Sequence, residues 1–187
     1  MTEYLAESAS GVWIELDALL RDFELGLVVV AGGDAGTGAR RVQWVHSSDL
    51  ADPTPFLTPR TVLLTTGEQF RGAMSSSTAD AYVARLVAAG TAALGAAVGL
   101  RWDRIPPALV EACDRHGLPL IRVPYDTPFI AITRAAARLI EGVARTQSIE
   151  QALPAHAMPS ARLVESEAAL RTAILRLLVD GRPGLAS

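Results

Sequence analysis

The chain has 187 residues, half of them hydrophobic and 20% charged, with a formal net charge of −3. That balance excludes wholesale disorder and allows one substantial core, or one core with an appended helical segment. The acidic balance and the lack of a clustered basic face argue against nucleic-acid binding by this segment alone.

All 17 basic residues are Arg and none is Lys, a uniformity that reads as the codon bias of a GC-rich bacterial genome. The single cysteine, Cys113, has no internal disulfide partner, so a reducing cytoplasm is the simplest compartment. The N-terminus lacks the basic and apolar segments of a signal peptide. No apolar run approaches the roughly 18 residues of a membrane span. A soluble cytoplasmic protein without a membrane partner is expected.

In chain order, Val12, Trp13, Leu16, Leu19, Leu20 and Phe23 recur at helical spacing and predict a first helix closed by Gly26. "LGLVVVAGG" (Leu25 to Gly33) predicts a strand, "DAGTGA" a turn, and "RRVQWVHSSDL" (Arg40 to Leu50) the next strand. So short a link suits an antiparallel hairpin. "ADPTPFLTPR" predicts an irregular loop, and "TVLLTT" a strand buried on both faces, because its apolar run does not alternate.

Ser77 and Asp80 stand at capping-box spacing ahead of a helix that turns Tyr82, Leu86 and Val87 inward. "TAALGAAVG" follows as a strand of small residues. "IPPALVEACDRHG" predicts a helix with proline in its first turn and Gly117 as its left-handed cap. "LPLIRVP" is the last strand. In "VPYDTPF", Thr127 is placed as N-cap and Pro128 as the first helical residue.

Phe129, Ile132, Ala136, Leu139 and Val143 then repeat at steps of three and four, a heptad-like seam. Its first half suits the domain core, and from Leu139 outward it suits a protein partner, most simply a second copy of the chain. "LPAHAMPS" interrupts the helix, and an amphipathic helix through Leu163, Leu170, Ile174 and Leu177 follows.

The strand and helix alternation from Val62 onward implies right-handed crossovers. The expected architecture is α/β: a mostly parallel sheet of about five strands flanked by helices, with an N-terminal hairpin and a C-terminal helical extension. The expected organisation is a domain over residues 1–150 and a helical linker over 151–187.

The series "LDALLRDFELGLVVVAGG", "RRVQWVHSSDLADPTPFL", "VLLTTGEQF" and "GLPLIRVPYDTPFIAIT" resembles the N-terminal domain of PucR-like (purine catabolism regulator-like) bacterial transcription factors, over about Leu16 to Ile149. The ordered set "WVH", acid, "DP", aromatic-Leu and "LLTTG" is the most specific part of the resemblance. It implies the input module of a one-component regulator of purine or nitrogen catabolism, with a small metabolite as effector. It also implies a central domain and a DNA-binding helix-turn-helix beyond this chain, so the sequence is expected to be a fragment. Where that family often has Glu after "WVH", this chain has Asp49, one methylene shorter.

"VLLTTGEQF" poses the sharpest local question, since a buried strand ends in Thr65, Thr66, Gly67 and Glu68. Ligands in open parallel sheets gather outside the carboxyl ends of strands, and these residues hold that place. Two readings stand: the hydroxyls rim a ligand pocket, or they satisfy backbone groups where the strand ends. Glu68 reads more as solvated than engaged. Tyr125 and Asp126 could overhang the same pocket, or belong to a rigid strand-to-helix turn. His46 reads as a ligand-facing or hairpin-edge residue.

A Ser-His-Asp triad in "WVHSSD" is rejected, because alternate residues of a strand face opposite ways and no nucleophile elbow is present. "GGDAGTG" lacks the phosphate-loop order. His46, His116 and His156 lack metal-ligand spacing, and Cys113 reads as packed core. The candidate ligand-binding set is Thr65, Thr66, Gly67, Glu68, His46, Asp49, Tyr125 and Asp126, with no catalytic residue, metal or cofactor. The expected function is ligand sensing and dimerisation without catalysis. A small α/β enzyme using His46 or Glu68, and a pure dimerisation scaffold, are the alternatives.

Overall fold

The computed structural model describes residues 11–33, 36–70 and 72–152, the side chains of 150–152 excepted. The chain divides into two units, Met1–Gln147 and Ser148–Ser187. The predicted helix break and final amphipathic helix lie outside the described residues.

Two sheets form among the described residues. The larger has the order β2 (Val28–Ala31), β7 (Leu120–Val123), β6 (Ala93–Ala97), β5 (Thr61–Thr65), β4 (Trp44–Ser47). Strands β4 to β7 are parallel and β2 is antiparallel to β7. The smaller sheet pairs β1 (Ile14–Glu15) with β3 (Arg41–Val42).

Every residue of β5 and of β6 is buried, as the unbroken apolar run of β5 predicts. Val62 and Leu64 join a core with α1 (Leu16–Leu20) and Ile132, Ala135 and Ala136 of α4 (Phe129–Ala152). Leu63 turns the other way, to a core with Tyr82 and Leu86 of α2 (Ser76–Ala88) and Leu109 and Cys113 of α3 (Pro107–His116). Helices on both faces are what a mostly parallel sheet needs.

The N-terminal hairpin is corrected. Val28–Ala31 and Trp44–Ser47 occupy opposite edges of the sheet. The Gly32 amide donates to Asp114 Oδ1 at 2.6 Å, and a Cβ on Gly32 would meet the Leu118 carbonyl oxygen at 1.9 Å. These contacts hold the exit of β2 against the turn that precedes β7. The chain then pairs Val42 with Ile14 and Arg41 with Glu15, so an antiparallel pair does form near the N-terminus, with different partners. Only after Gln43 does it reach the free edge of β5.

That pairing also shortens the first helix. Ile14 and Glu15 are strand, the helix is limited to Leu16–Leu20, and a 3₁₀ turn covers Phe23–Leu25. Phe23 is 93% exposed rather than inward, while Gly26 ends the segment at φ 58° as expected.

Helix α2 is capped by Ser75, whose hydroxyl accepts from the Thr78 amide at 3.1 Å, rather than by Ser77. Tyr82 and Leu86 are buried, but Val87 is 40% exposed. Helix α3 begins at Pro107 and ends at Gly117 with φ 61°. Thr127 does not cap α4: its hydroxyl donates to the Leu25 carbonyl at 2.9 Å. Leu139, Ile140 and Val143 are half-buried against the core, so the seam is core beyond its first half.

Candidate functional site

Strands β4 and β5 run parallel in a register that sets Ser47 beside Leu64, and the Ser48 amide extends the pairing to the Leu64 carbonyl at 2.9 Å. Asp49 therefore leaves the sheet beside Thr65 and Thr66. Its Oδ1 accepts from Thr65 Oγ1 at 2.7 Å and from the Thr66 amide at 2.8 Å. Its Oδ2 accepts from Thr66 Oγ1 at 2.6 Å. Hydrogen bonds to an ionised carboxylate are about twice as strong as neutral ones.

The network continues inward. The single proton of the Thr65 hydroxyl is committed to Asp49, so Thr65 Oγ1 is an acceptor towards its other neighbours. It takes the Gly67 amide at 3.1 Å and Gln69 Nε2 at 2.9 Å. Gln69 Oε1 also lies 3.1 Å from it, but no second hydroxyl proton exists for that contact. Gln69 Nε2 further donates to the Tyr82 hydroxyl at 3.3 Å. Burial pushes the Tyr82 phenol far above its ordinary range; the Gln69 hydrogen bond opposes this, and the Asp49 charge adds to it. Thr65 is wholly buried.

Gly67 is buried with φ 87°, and a Cβ there would lie 2.5 Å from the Trp102 ring. Its close approach is to indole. Trp102 stacks on Phe70 at 6.0 Å, and Phe70 meets Tyr82 edge-on at 4.9 Å.

On the other side of Thr66 lies a hollow of about 250 Å³, walled by Thr66, Ala97, Leu100, Tyr125, Pro128 and Phe129, among others. These residues come from the carboxyl ends of β5, β6 and β7 and from the first residue of α4. Tyr125 is 66% exposed and crosses Gly99, where a Cβ would come within 3.0 Å of the Tyr125 Cβ. The lining is mostly apolar, with Thr66, Tyr125 and Thr127 as its polar residues.

The eight candidate residues thus fall into separate places. Asp49, Thr65 and Thr66 form one network, and Thr66 and Tyr125 share the hollow. Gly67 sits under Trp102. Glu68 is exposed, and His46 is half-buried opposite Leu63 within β4. Asp126 lines a different hollow with Asp22, Glu24, Arg134 and Arg138. Sequence reading missed Gln69, Trp102 and Leu100. Only Gln69, four residues after Thr65, carried a usable signal.

Chemically, the arrangement orders hydroxyls and a carboxylate around one another. The Thr65 and Thr66 hydroxyls both donate to Asp49, and Thr65 is wholly buried. Among the described residues, no three His, Cys, Asp or Glu side chains gather in a way that could hold a metal ion, and no helix is long and apolar enough to cross a membrane.

Comparison with known proteins covers this same region. The model of the purine catabolism regulatory protein-like (PucR) family matches residues 18–140, a span holding Asp49, Thr65, Thr66, Tyr125 and the start of α4. The transcriptional activator PmfR of Paenarthrobacter nicotinovorans is 31% identical over 159 residues, which is 83% of this chain and 30% of that protein. The chain accordingly spans less than a third of the length of this relative. By the family match and this identity, the chain belongs to the purine catabolism regulatory protein-like family.

Proposed function

We propose that this chain is the effector-sensing and dimerisation part of a PucR-type transcriptional regulator, and that it works in the cytoplasm without catalysis. The observation that carries the reading is the hollow in which Thr66 and Tyr125 meet Phe129, the first residue of α4. A small metabolite of purine or nitrogen catabolism seated there touches three strand ends and the start of a 24-residue helix at once.

Such a ligand acts through unequal affinity for two settings of α4, a coupling typically of about 1–3 kcal/mol. The exposed parts of Leu139 and Val143 supply a surface for a second copy. DNA contact falls to a helix-turn-helix outside this chain, which the name of the relative, a transcriptional activator, supports.

The test uses the full-length regulator and a panel of purines and their ring-opened catabolites. A true effector at a hundredfold excess over its Kd raises domain stability by about 2.7 kcal/mol, leaves no product, and changes operator affinity. Leu100→Trp, at an exposed position in the wall, narrows the hollow and abolishes that stabilisation. Product formation would indicate an enzyme. Equal operator affinity and oligomeric state with and without every compound would reduce the domain to a scaffold.

A further inference from the structure

A larger hollow, about 400 Å³, opens at the opposite ends of the strands, where β5, β6 and β7 begin. Its wall brings together Arg40, Arg41 and Arg60 with Thr91, His116 and Gly117. The ion pairs among the described residues engage Arg21, Arg85, Arg115 and His116, and none of these three arginines. Three guanidiniums that no ion pair among the described residues engages, with Glu15 opposite Arg41 in the β1–β3 pair, form a local positive field in a chain of net charge −3.

Among the described residues none of the three is held by an ion pair: Arg40 and Arg41 are held through their guanidiniums and Arg60 through its backbone. Arg40 Nη2 donates to the Gly117 carbonyl at 2.5 Å. The Arg41 guanidinium lies over the Trp13 ring at 4.3 Å, a cation–π contact that leaves its N–H edges available. Arg60 is the one non-glycine residue with positive φ among the described residues, at 65°, and its amide donates to the Gly90 carbonyl at 2.8 Å. Left-handed backbone is unfavourable for a long side chain, and such strain persists where the surroundings or a function demand it.

Two further features concern the wall itself. Thr91 is 5% exposed, and its hydroxyl is the one buried side-chain polar atom without a hydrogen-bond partner among the described residues. His116 Nε2 lies 3.0 Å from Asp80 Oδ1, which also accepts from Arg115 at 2.9 Å. That acid is already shared and does not neutralise the arginines.

We propose that this hollow is an anion site, separate from the effector hollow, which takes a small metabolite through a carboxylate or phosphate group held by Arg60, Arg41 and Arg40. Guanidinium forks suit both oxyanions. The volume suits a small molecule, and its concavity, with no basic stripe beyond it, does not suit a nucleic-acid backbone.

Binding of inorganic phosphate and of succinate to the whole chain is measured by calorimetry, at an ionic strength held constant with chloride. Either probe binds in the wild type, and whichever binds more tightly identifies the oxyanion. Arg60→Gly weakens that binding at least tenfold while leaving the melting temperature unchanged or raised, because glycine relieves the positive φ. Arg138→Gln, away from this hollow, leaves binding as it was. Absence of binding for both probes overturns the proposal, and so does equal binding by wild type and Arg60→Gly. Equal losses in Arg60→Gly and Arg138→Gln would mean general charge screening and would also overturn it.

Discussion

Asp49 clamps Thr66 at two points, through the backbone amide at 2.8 Å and the side-chain hydroxyl at 2.6 Å. Removing the carboxylate leaves those donors and the buried Thr65 hydroxyl without their acceptor. Asp49→Ala is expected to cost about 2 kcal/mol in urea denaturation. Asp49→Asn is expected to cost roughly half of that. Its oxygen still accepts from Thr65 and the Thr66 amide, and its NH₂ donates to a turned Thr66 hydroxyl. An alanine variant as stable as the asparagine variant would refute the clamp.

Gly67 is bound to its place by two independent constraints, φ 87° and the Trp102 ring at 2.5 Å from a would-be Cβ. Gly67→Ala meets both, and a loss of about 2–4 kcal/mol is expected. The double variant with Trp102→Ala separates the constraints, since without indole only the backbone cost remains. Strict additivity of the two single effects in chemical denaturation would mean that glycine and tryptophan do not compete for that space.

Much of this fold is legible locally and some of it is not, for definite reasons. The run through Leu64 reads correctly as doubly buried, because Val62 and Leu64 feed one core and Leu63 the other. Helix α3 reads correctly because Pro107 and Gly117 fix its ends in their own backbones. The pairing of β2 fails because a short link suggests a hairpin, while the choice of partner rests on remote contacts, Gly32 with Asp114 and Ile14 with Val42.

The same error hides the clamp. Asp49 and Thr65 are each visible as candidates, but their meeting depends on the parallel register of β4 on β5. Arg60 likewise shows no tie in sequence to the adjacent Arg40 and Arg41, since about 20 residues of chain separate it from a pair that only the fold places in the same wall.

Asp80 joins α2 to α3 by accepting from Arg115 at 2.9 Å and lying 3.0 Å from His116 Nε2. The Arg115 hydrogen bond, and then that to His116, hold its carboxyl below the ordinary 3.8. A depressed folded value favours the folded state above the ordinary value, and that advantage disappears as pH falls through the depressed one. The melting temperatures of wild type and Asp80→Asn are expected to differ above about pH 5 and to converge in stronger acid. The group is exposed, so the difference is expected to shrink in high salt. A difference that persists undiminished in strong acid, where the Asp80 carboxyl is protonated, would contradict the pairing.

Cys113 lies wholly buried on α3 against the sheet, and burial, with the Asp114 charge adding to it, pushes its thiol up to about 12. Both accessibility and ionisation therefore oppose reaction with a thiol reagent at pH 8. Alkylation in the native protein is expected to be at least about a thousandfold slower than in urea, because only the open fraction of a stable domain reacts. Cys113→Ala, which removes a polarisable group but leaves no unpaired donor, is expected to cost about 1–2 kcal/mol. Cys113→Ser is expected to cost more, since its hydroxyl enters an apolar layer beside Leu109 and Leu120. Native alkylation as fast as that in urea would show that the α3 layer opens from the sheet without global unfolding. The Arg40 contact to Gly117 would then open with it, because that carbonyl belongs to the turn that ends α3.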